Sequence, residues 1–355
     1  MPQPIENTAG DAPTVTPALV PSDRIAESLK PQPPIDRDIL IPFVASGLIA
    51  GLTEELAAAS DANESRRTET AAKVPPQSGR SEIVECATAM PISAALSTAA
   101  PLCSISWPFK KDVLGVEISV TSYDELCRLF IIAAQQRESV LASFLPVHGV
   151  VTAAMDPGYR HRINSFDVIA PDGQPVRWAL NWLHKAGLTD RVAGPHMMLR
   201  LCERAAEQGV GIYLYGSTSD TLDKLRNNLE ERYPDIRILG VESPPFRPLT
   251  REENDAAIDR INASGAGLVF IGLGLPRQDL FAFQNRHRIN AVQLCVGAAF
   301  DFHAGKKKLA PPWMQRTGLE WTYRLIQEPR RLWKRYLVTN TMFVYLMTKR
   351  LVRGA

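Results

Sequence analysis

The stretch Ala266–Asp279 reads Ala-Gly-Leu-Val-Phe-Ile-Gly-Leu-Gly-Leu-Pro-Arg-Gln-Asp, and it combines the signals of a buried strand, a tight turn and a helix start. Residues 268–271 form a short apolar run with the β-branched content typical of a buried strand. Gly272 and Gly274 permit a tight turn whose backbone no side chain covers. Pro276 stands where a helix can begin. The stretch therefore predicts a strand, a glycine turn and a helix N-terminus in succession.

A turn of this kind can offer bare N–H groups to an anion such as a nucleotide diphosphate. Arg277 and Gln278, in the first helical turn, would then face that anion. The alternative is an ordinary strand-to-helix turn of an α/β domain, because glycine turns are common. The spacing differs from GxGxxG, which disfavours a dinucleotide-dependent oxidoreductase.

The same alternation of strands and helices extends over the C-terminal two thirds of the chain. Predicted strands cover 113–120, 139–147, 167–170, 211–216, 236–241, 267–272 and 291–296, with helices over 123–136, 148–163, 175–185, 251–263, 276–288, from Pro195, and up to Tyr233. This pattern predicts an α/β fold with a mostly parallel sheet and helices on both faces. Such sheets bind ligands at the carboxyl ends of their strands. The candidate residues Asp172, Gly216, Gly272, Gly274 and Gly297 all end or follow predicted strands.

The first hundred residues differ in composition from the rest. They are rich in Ala, Pro, Ser and Thr and lack a sustained apolar period, so we expect residues 1–108 to be largely disordered. Residues 38–59 are an exception and could form a short helix. We expect neither a secretory signal nor a transmembrane helix, because no stretch has the required pattern.

Cysteine and charge patterns narrow the function classes further. The five cysteines are scattered without a CxxC pair, which favours buried thiols in a cytosolic protein over a zinc site. The net charge is only +2, but residues 306–355 carry twelve Lys and Arg against two Glu. Predicted helices over 313–327 and 329–353 mix these cations with aromatic and aliphatic residues, which is typical of a helix lying on an anionic membrane. A helix docked on the domain is the alternative, and nucleic-acid binding is disfavoured because no recognised module is present.

Five successive motifs permit a comparison with a known family. They are Val-Ile-Ala-Pro-Asp172-Gly173, Asp190-Arg-Val-Ala-Gly194-Pro195, Gly272-Leu-Gly-Leu-Pro-Arg-Gln-Asp279, Val296-Gly-Ala-Ala-Phe-Asp-Phe-His-Ala-Gly305, and the segment from Pro311 to Arg331. In order and separation they resemble the WecG/TagA/CpsF glycosyltransferases, over about Lys111 to Leu346. The resemblance leaves the first hundred residues uncovered.

The resemblance implies a substrate class and a domain plan. Proteins of this family transfer a sugar from a UDP-sugar donor to a polyprenyl-diphosphate-linked saccharide at the cytoplasmic face of the membrane, for cell-envelope or exported polysaccharides. It implies a Rossmann-like glycosyltransferase domain over 109–305 and a basic, membrane-associated C-terminal appendage over 306–355. We expect no cofactor and no metal requirement, because no DxD-like pair follows a predicted strand. Exposed apolar surface on the appendage leaves a homo-oligomer open.

The resemblance implies roles for individual residues of this chain. Asp172 matches the proposed catalytic base, although a turn formed with Gly173 is an alternative explanation of that motif. The resemblance implies that Arg191, in the motif that ends at Gly194, lies near the diphosphate and that Gln278 hydrogen-bonds donor or acceptor. It implies that Arg324 and Arg331 stabilise the leaving UDP, with Lys334 where the family often has another Arg.

One departure from the family concerns the end of the second strand. Family members commonly carry Thr-x-Asn there, whereas this chain has Phe144-Leu-Pro-Val-His148-Gly. His148 could supply a polar group to the site, or it could be an ordinary histidine at a helix start. The missing motif leaves the donor sugar undetermined. It also keeps open a non-catalytic UDP-sugar-binding scaffold as the alternative to an inverting transferase.

Overall fold

The computed structural model describes residues 105–352. The predicted disorder of residues 1–108 lies outside this range except for its last four residues, and the predicted helix over 38–59 lies outside it entirely. Within the described range, the Trp107 ring lies 5.9 Å from the ring of Phe130. The proposed division at residue 305 stays a prediction.

The described residues form eight strands and twelve helices. The strands are β1 (Lys110–Val113), β2 (Val116–Ser119), β3 (Val140–Leu145), β4 (Val168–Pro171), β5 (Gly211–Gly216), β6 (Arg237–Glu242), β7 (Leu268–Gly272) and β8 (Val292–Cys295). The helices are α1 (Tyr123–Gln135), α2 (Val147–Met155), α3 (Pro157–Asn164), α4 (Gln174–His184), α5 (Gly194–Glu207), α6 (Ser219–Arg232), α7 (Arg251–Ser264), α8 (Arg277–Gln284), α9 (Ala299–His303), α10 (Pro312–Arg316), α11 (Glu320–Gln327) and α12 (Pro329–Val352).

Six of the strands form one sheet in the order β4-β3-β8-β7-β5-β6, and every pairing in it is parallel. The predicted α/β class and mostly parallel sheet are therefore confirmed. Because the strands run in one direction, their carboxyl ends share one edge, and we call this edge the carboxyl edge.

The sheet is covered on both faces, which explains why its strands are nearly uninterrupted apolar runs. One core cluster contains apolar side chains from α1, α5, α6 and α9, and the other contains side chains from the β1–β2 hairpin, α2, α3, α4, α7, α8 and α12. The contribution of α12 to the second cluster comes from Phe343 and Met347. This C-terminal helix is therefore docked on the domain.

The same helix keeps an apolar outer side. Trp333, Leu337, Val344 and Leu351 are spaced four and seven residues apart and are exposed, so they form one stripe along α12. Cations lie close to this stripe, as shown by Lys334 over the Trp333 ring. Within residues 105–352, no helix combines the length and apolar character needed to cross a bilayer.

Several predicted elements are corrected at breaks in the chain. The single strand predicted over 113–120 is the β1–β2 hairpin, because Leu114 and Gly115 adopt positive φ and reverse the chain. The helix predicted over 148–163 is two helices: the Asp156 carboxylate caps the second one by accepting a bond from the Tyr159 N–H, and Pro157 follows it.

The C-terminal half contains three further corrections. The helix predicted over 313–327 is broken into α10 and α11 at Gly318, whose φ is +75°. The helix predicted to reach residue 288 ends at Gln284, and it begins at Arg277 with Pro276 as its N-cap. The five-residue helix α9 was not predicted, because it is shorter than the window in which helical periodicity appears.

Candidate active site

The carboxyl edge gathers most of the predicted site residues. Asp172 follows β4, His148 follows β3, and Gly297 follows β8. Gly216 and Gly272 are the last residues of the neighbouring strands β5 and β7, and they are paired with each other. The parallel topology therefore brings together residues that are far apart in the sequence.

Gly216 is required by the close approach of β5 and β7, and Gly272 by the packing of the Phe300 ring. Gly216 has a φ of +126°, and a Cβ there would lie 2.7 Å from the backbone carbon of Gly272. A Cβ on Gly272 would lie 2.5 Å from the ring of Phe300. Gly274, in contrast, has a positive φ and open space around it. Two of these glycines thus allow tight packing, and the third leaves the turn uncovered.

Gln278 ties the glycine turn to the end of β8. Its side chain is only 2% exposed; its Nε2 donates to the Cys295 carbonyl at 3.1 Å, and its Oε1 accepts from the Gly274 N–H at 3.2 Å. A Cβ on Gly297 would lie 3.2 Å from that same Oε1. Arg277 is exposed at the start of α8. The structure therefore separates these neighbours, with Gln278 inside the turn and Arg277 on its surface.

Beneath this turn lies a buried carboxylate that sequence reasoning did not assign to the site. Asp279 is almost fully buried and accepts bonds from the Ser143 hydroxyl at 2.9 Å and the Tyr159 hydroxyl at 2.6 Å. Burial raises the pKa of Asp279 to about 6, although these two hydrogen bonds act in the opposite direction. This cluster anchors α8 under the glycine turn.

At the other end of the carboxyl edge, Asp172 lies beside Arg191. The segment around Arg191 runs alongside β4, because the Val192 N–H donates to the Pro171 carbonyl at 2.9 Å. The Arg191 Nη1 lies 3.6 Å from Asp172 Oδ1, and the Gly194 N–H points at Asp172 Oδ2 from 3.5 Å. Arg191 and Gly194 therefore both contact the carboxylate that sequence reasoning chose as the base.

Two C-terminal residues cover Arg191. Its Nη2 lies 2.5 Å from Glu320 Oε2 and donates to Gln315 Oε1 at 3.2 Å. With these partners, Arg191 is only 6% exposed. Arg191 is thus shared between the Asp172 carboxylate and the C-terminal helices.

The surroundings of Asp172 raise its pKa to about 6. Burial is the largest cause, because it disfavours the charged form, and the negative charge of Glu320 acts in the same direction. Arg191, Arg324 and the Gly194 N–H favour the charged form and limit the rise. A carboxyl group with such a pKa is mostly ionised at neutral pH and is a stronger base than an ordinary aspartate.

Arg324 and Arg331 line a small basic cavity with a volume of about 90 Å³. Its other lining residues are Ala298, Phe302, Lys307, Gln327, Glu328, Leu332, Arg335 and Tyr336. Arg324 lies over the Phe302 ring at 4.9 Å, and Arg331 pairs with Glu328 at 2.7 Å. Lys334 is absent from this lining, because it lies over Trp333 instead. Four cations around one small cavity suit a phosphate or diphosphate group.

A second cavity, which we call the polar groove, has a volume of about 190 Å³ and lies on the Arg191 side. It is lined by Tyr123, Gln174, Asp190, Arg191, His196, Arg200, Pro312, Gln315 and Arg316. Gln174 Oε1 and His196 Nδ1 are buried and have no hydrogen-bond partner among the described residues. The groove thus offers cations together with unused polar atoms, which suits a ligand rich in hydroxyl groups.

His148, the residue found in place of the family's Thr-x-Asn motif, lies at the start of α2. Its Nδ1 is buried and has no hydrogen-bond partner within the described range. Burial lowers the pKa of His148 to about 4, and the charge of Arg335 acts in the same direction. His148 is therefore neutral at physiological pH and able to accept a hydrogen bond.

Sequence reasoning missed several residues of these cavities. Lys307 and Arg335 belong to the basic run that it recognised, so their charge was a signal although their position was not. Glu320 and Gln315 lie within the family motif from Pro311 to Arg331, but nothing in the sequence indicated their pairing with Arg191, which lies more than a hundred residues earlier in the chain. Only the fold brings these groups together.

Comparisons with known proteins identify the family of the chain. The glycosyl transferase WecG/TagA/CpsF family matches residues 111–355. A relative from Bacillus subtilis (strain 168), an N-acetylglucosaminyldiphosphoundecaprenol N-acetyl-beta-D-mannosaminyltransferase, is 33% identical over 186 residues, which is 52% of this chain and 70% of the relative. The enzyme of the same name from Bacillus spizizenii is 31% identical with the same coverage. The chain belongs to the WecG/TagA/CpsF family and is a glycosyltransferase.

Proposed function

We propose that this glycosyltransferase moves a sugar from a UDP-sugar to a polyprenyl-diphosphate-linked saccharide, with inversion at the anomeric carbon, in cell-envelope or exopolysaccharide biosynthesis. The observation that carries the proposal is the position of Asp172. This carboxylate contacts Arg191 of the polar groove and is influenced by Arg324 of the basic cavity. Asp172 is thus linked to both cavities, through its contact with Arg191 and through the charge of Arg324, which supports a transfer between two substrates.

In the proposed reaction, Asp172 accepts the proton of an acceptor hydroxyl. The hydroxyl oxygen forms a bond to the anomeric carbon of the donor, while the bond from that carbon to the UDP oxygen breaks. The electron pair leaves with UDP, and the resulting charge is stabilised by Arg324, Arg331, Lys307 and Arg335 around the basic cavity. A single displacement of this kind inverts the configuration.

The remaining predicted site residues receive supporting roles in the proposal. Gln278 holds the turn at Gly274 against β8. The tight contact between Gly216 and Gly272 shapes the same edge of the site. His148 offers a hydrogen-bond acceptor in place of the missing Thr-x-Asn motif. The remaining predicted residues are kept as substrate contacts: Gly173, Arg191, Gly194, Arg277 and Gly297.

The acceptor class follows from the names of the two relatives, which specify transfer to N-acetylglucosaminyl-diphospho-undecaprenol. We propose an acceptor of that class, attached to a polyprenyl diphosphate, for this chain. The exposed stripe on α12 supports a position on the inner face of the cell membrane, because apolar residues flanked by cations favour an anionic bilayer surface. The same stripe is the surface through which a homo-oligomer would form.

The proposal is tested by transfer to a short polyprenyl-diphosphate-N-acetylglucosamine from a panel of UDP-sugars, with and without EDTA. We expect transfer from at least one donor, with a product whose new linkage has the opposite anomeric configuration. Transfer that survives EDTA supports charge stabilisation by the side-chain cations of the basic cavity without a metal ion. UDP binding without transfer from any donor would contradict the enzymatic proposal and favour the scaffold function. Absence of UDP binding would contradict both.

A further inference from the structure

The Arg191 guanidinium is held unequally by two carboxylates. Its Nη2 lies 2.5 Å from Glu320 Oε2, whereas its Nη1 lies 3.6 Å from Asp172 Oδ1. A close guanidinium–carboxylate pair has nitrogen–oxygen distances of about 2.7–2.9 Å, so Arg191 is paired with Glu320 and only approaches Asp172. The Asp172 oxygens are thus left available for a further partner.

The chain holds Glu320 in this position through a close contact. Gly318, with a φ of +75°, lies so near α4 that a Cβ there would be 2.8 Å from the Trp178 ring. The Gln174 Nε2 donates to the Gln315 carbonyl at 3.3 Å and fastens the same turn. Glu320 is the first residue of α11, immediately after this turn. Docking of residues 315–320 on α4 therefore delivers Glu320 to Arg191.

Based on the proposed function, we propose that Glu320 is a positioning residue of the transfer reaction: it draws the Arg191 guanidinium away from a close pair with Asp172 and so keeps the Asp172 carboxylate free to accept the proton. The residue acts through Arg191 and touches no reacting atom. Because Glu320 belongs to the C-terminal helices, the base reaches this arrangement only when those helices are docked.

Several titratable and charged groups around the pair enter the expected pH behaviour, and they include His196 of α5, whose pKa responds to Arg191 and Glu320. Asp172 is influenced by Arg191, by Glu320 and Arg324 from α11, and by the Gly194 N–H. Arg191 is also influenced by the Tyr123 hydroxyl. Removing the Glu320 charge removes the negative group that raises the pKa of Asp172, and it frees Arg191 to close on that carboxylate. Both changes lower the pKa of Asp172.

The test compares the pH–rate profile of wild type with that of Glu320→Gln. We expect kcat to fall about 10- to 100-fold, because a closed Arg191–Asp172 pair blocks the base and disturbs its alignment. We also expect the acid limb to move to lower pH, since a base with a lowered pKa stays ionised further into acid. Glu320→Asp keeps the charge with a shorter reach and should restore part of kcat and shift the limb back.

A matched control exists at the far edge of the sheet. Glu242 is paired with Arg260 at 2.7 Å, and its side chain is 18% exposed, as is that of Glu320. Glu242→Gln therefore removes an equally exposed carboxylate from the edge strand β6, where its partner Arg260 is 55% exposed and lines neither cavity, and it should leave kcat and the acid limb unchanged. A lower kcat in Glu320→Gln with an unmoved acid limb would overturn the proposal, because a merely structural role predicts that result.

The change in the pKa of Asp172 is also measurable without turnover. A raised pKa in the folded state makes the Asp172 contribution to stability decline as pH rises from the unfolded pKa to about 6. The difference in unfolding free energy between wild type and Asp172→Asn, followed from pH 4 to 7.5, reports that decline. We expect a smaller decline in the Glu320→Gln background, and an equal decline would overturn the proposal. If wild type transfers no sugar, the proposed function fails and this titration alone decides the role of Glu320.

Discussion

The two ends of the carboxyl edge are built differently. At the glycine turn between β7 and α8, the polar groups bond to one another: Gln278 to Gly274 and Cys295, and Asp279 to Ser143 and Tyr159. At the end of β4, Asp172 has only long contacts, and its neighbour Arg191 is shared with the C-terminal helices. The polar groups of the glycine turn, which is the most conspicuous motif in the sequence, thus have hydrogen-bond partners within the turn and its neighbours. At the end of β4, by contrast, the Asp172 carboxylate stays available for chemistry.

The largest effect should come from the Asp172 end. Asp172→Asn removes the proposed base while keeping the size of the side chain, so we expect kcat to fall about 10²- to 10⁴-fold. The measurement is the initial rate of sugar transfer to the lipid-linked acceptor. Asp235→Asn, at an exposed position before β6, should transfer at the wild-type rate. Full activity in Asp172→Asn would show that the carboxylate at the end of β4 is not the base.

At the glycine-turn end, the expected loss is one of stability. In Gly216→Ala, the new Cβ would meet the Gly272 backbone at 2.7 Å at a φ of +126°. We expect the free energy of unfolding to fall by about 2–5 kcal/mol, from strain and overpacking together. Denaturant unfolding measures this loss.

Gly187→Ala is the matched control for that substitution. Gly187 also has a positive φ, of +68°, but no atom of the described residues lies within 4 Å of a Cβ built there. It should therefore lose only the cost of the left-handed backbone, about 1 kcal/mol. Equal losses at both positions would show that the close approach of β5 and β7 is unimportant.

Of the two arginines of the basic cavity, Arg324 should contribute more to UDP binding than Arg331. Arg324→Ala should weaken UDP binding about 10- to 100-fold, because Arg324 lines the cavity, lies over the Phe302 ring and is half-buried. Arg331 is 57% exposed and already paired with Glu328, so Arg331→Ala should weaken binding only about 3-fold. Titration calorimetry at one fixed salt concentration measures both, with the exposed Arg237→Ala as control. A larger loss of UDP affinity in Arg331→Ala than in Arg324→Ala would contradict this prediction.

The smallest effect concerns the buried carboxylate under the glycine turn. The pKa of Asp279 is raised to about 6 in the folded state, so its ionisation opposes folding as pH rises from about 4 to about 6. Asp279→Asn removes this ionisation and should lessen the loss of stability between pH 4.5 and 7.5 by about 1–3 kcal/mol. Denaturant unfolding at both pH values measures the loss of stability in each protein. An equal loss in wild type and Asp279→Asn would contradict the raised pKa of Asp279.

Local patterns sufficed to predict the sheet and most of its connections. Apolar runs bounded by glycine or proline identified β5, β7 and β8, because buried parallel strands are uniformly apolar. The same pattern predicted that Asp172 lies at a strand end, whereas its role as the base came from the family resemblance. The break at Asp156-Pro157 was missed, although an aspartate before a proline is typical of a helix start.

The rest depended on contacts between distant parts of the chain. Gly318 interrupts a helical pattern, but only its packing against Trp178 shows why the chain bends there. The pairing of Arg191 with Glu320 is set by how α11 docks, and no periodicity encodes it. The basic run predicted a cationic surface, yet helix geometry decided that Arg335 rather than Lys334 lines the cavity.

The position of β8 has a consequence for how the protein is made. In the sheet, β8 lies between β3 and β7, and Val292 pairs with both Val140 and Leu268. The pair β3–β4 and the group β7-β5-β6 therefore have no direct strand contact until the last strand has left the ribosome. During synthesis both halves expose an unpaired apolar edge, which is the condition under which chains aggregate or recruit chaperones. Completion of the sheet is thus a late event, and the C-terminal helices that bring Glu320 to Arg191 are synthesised after it.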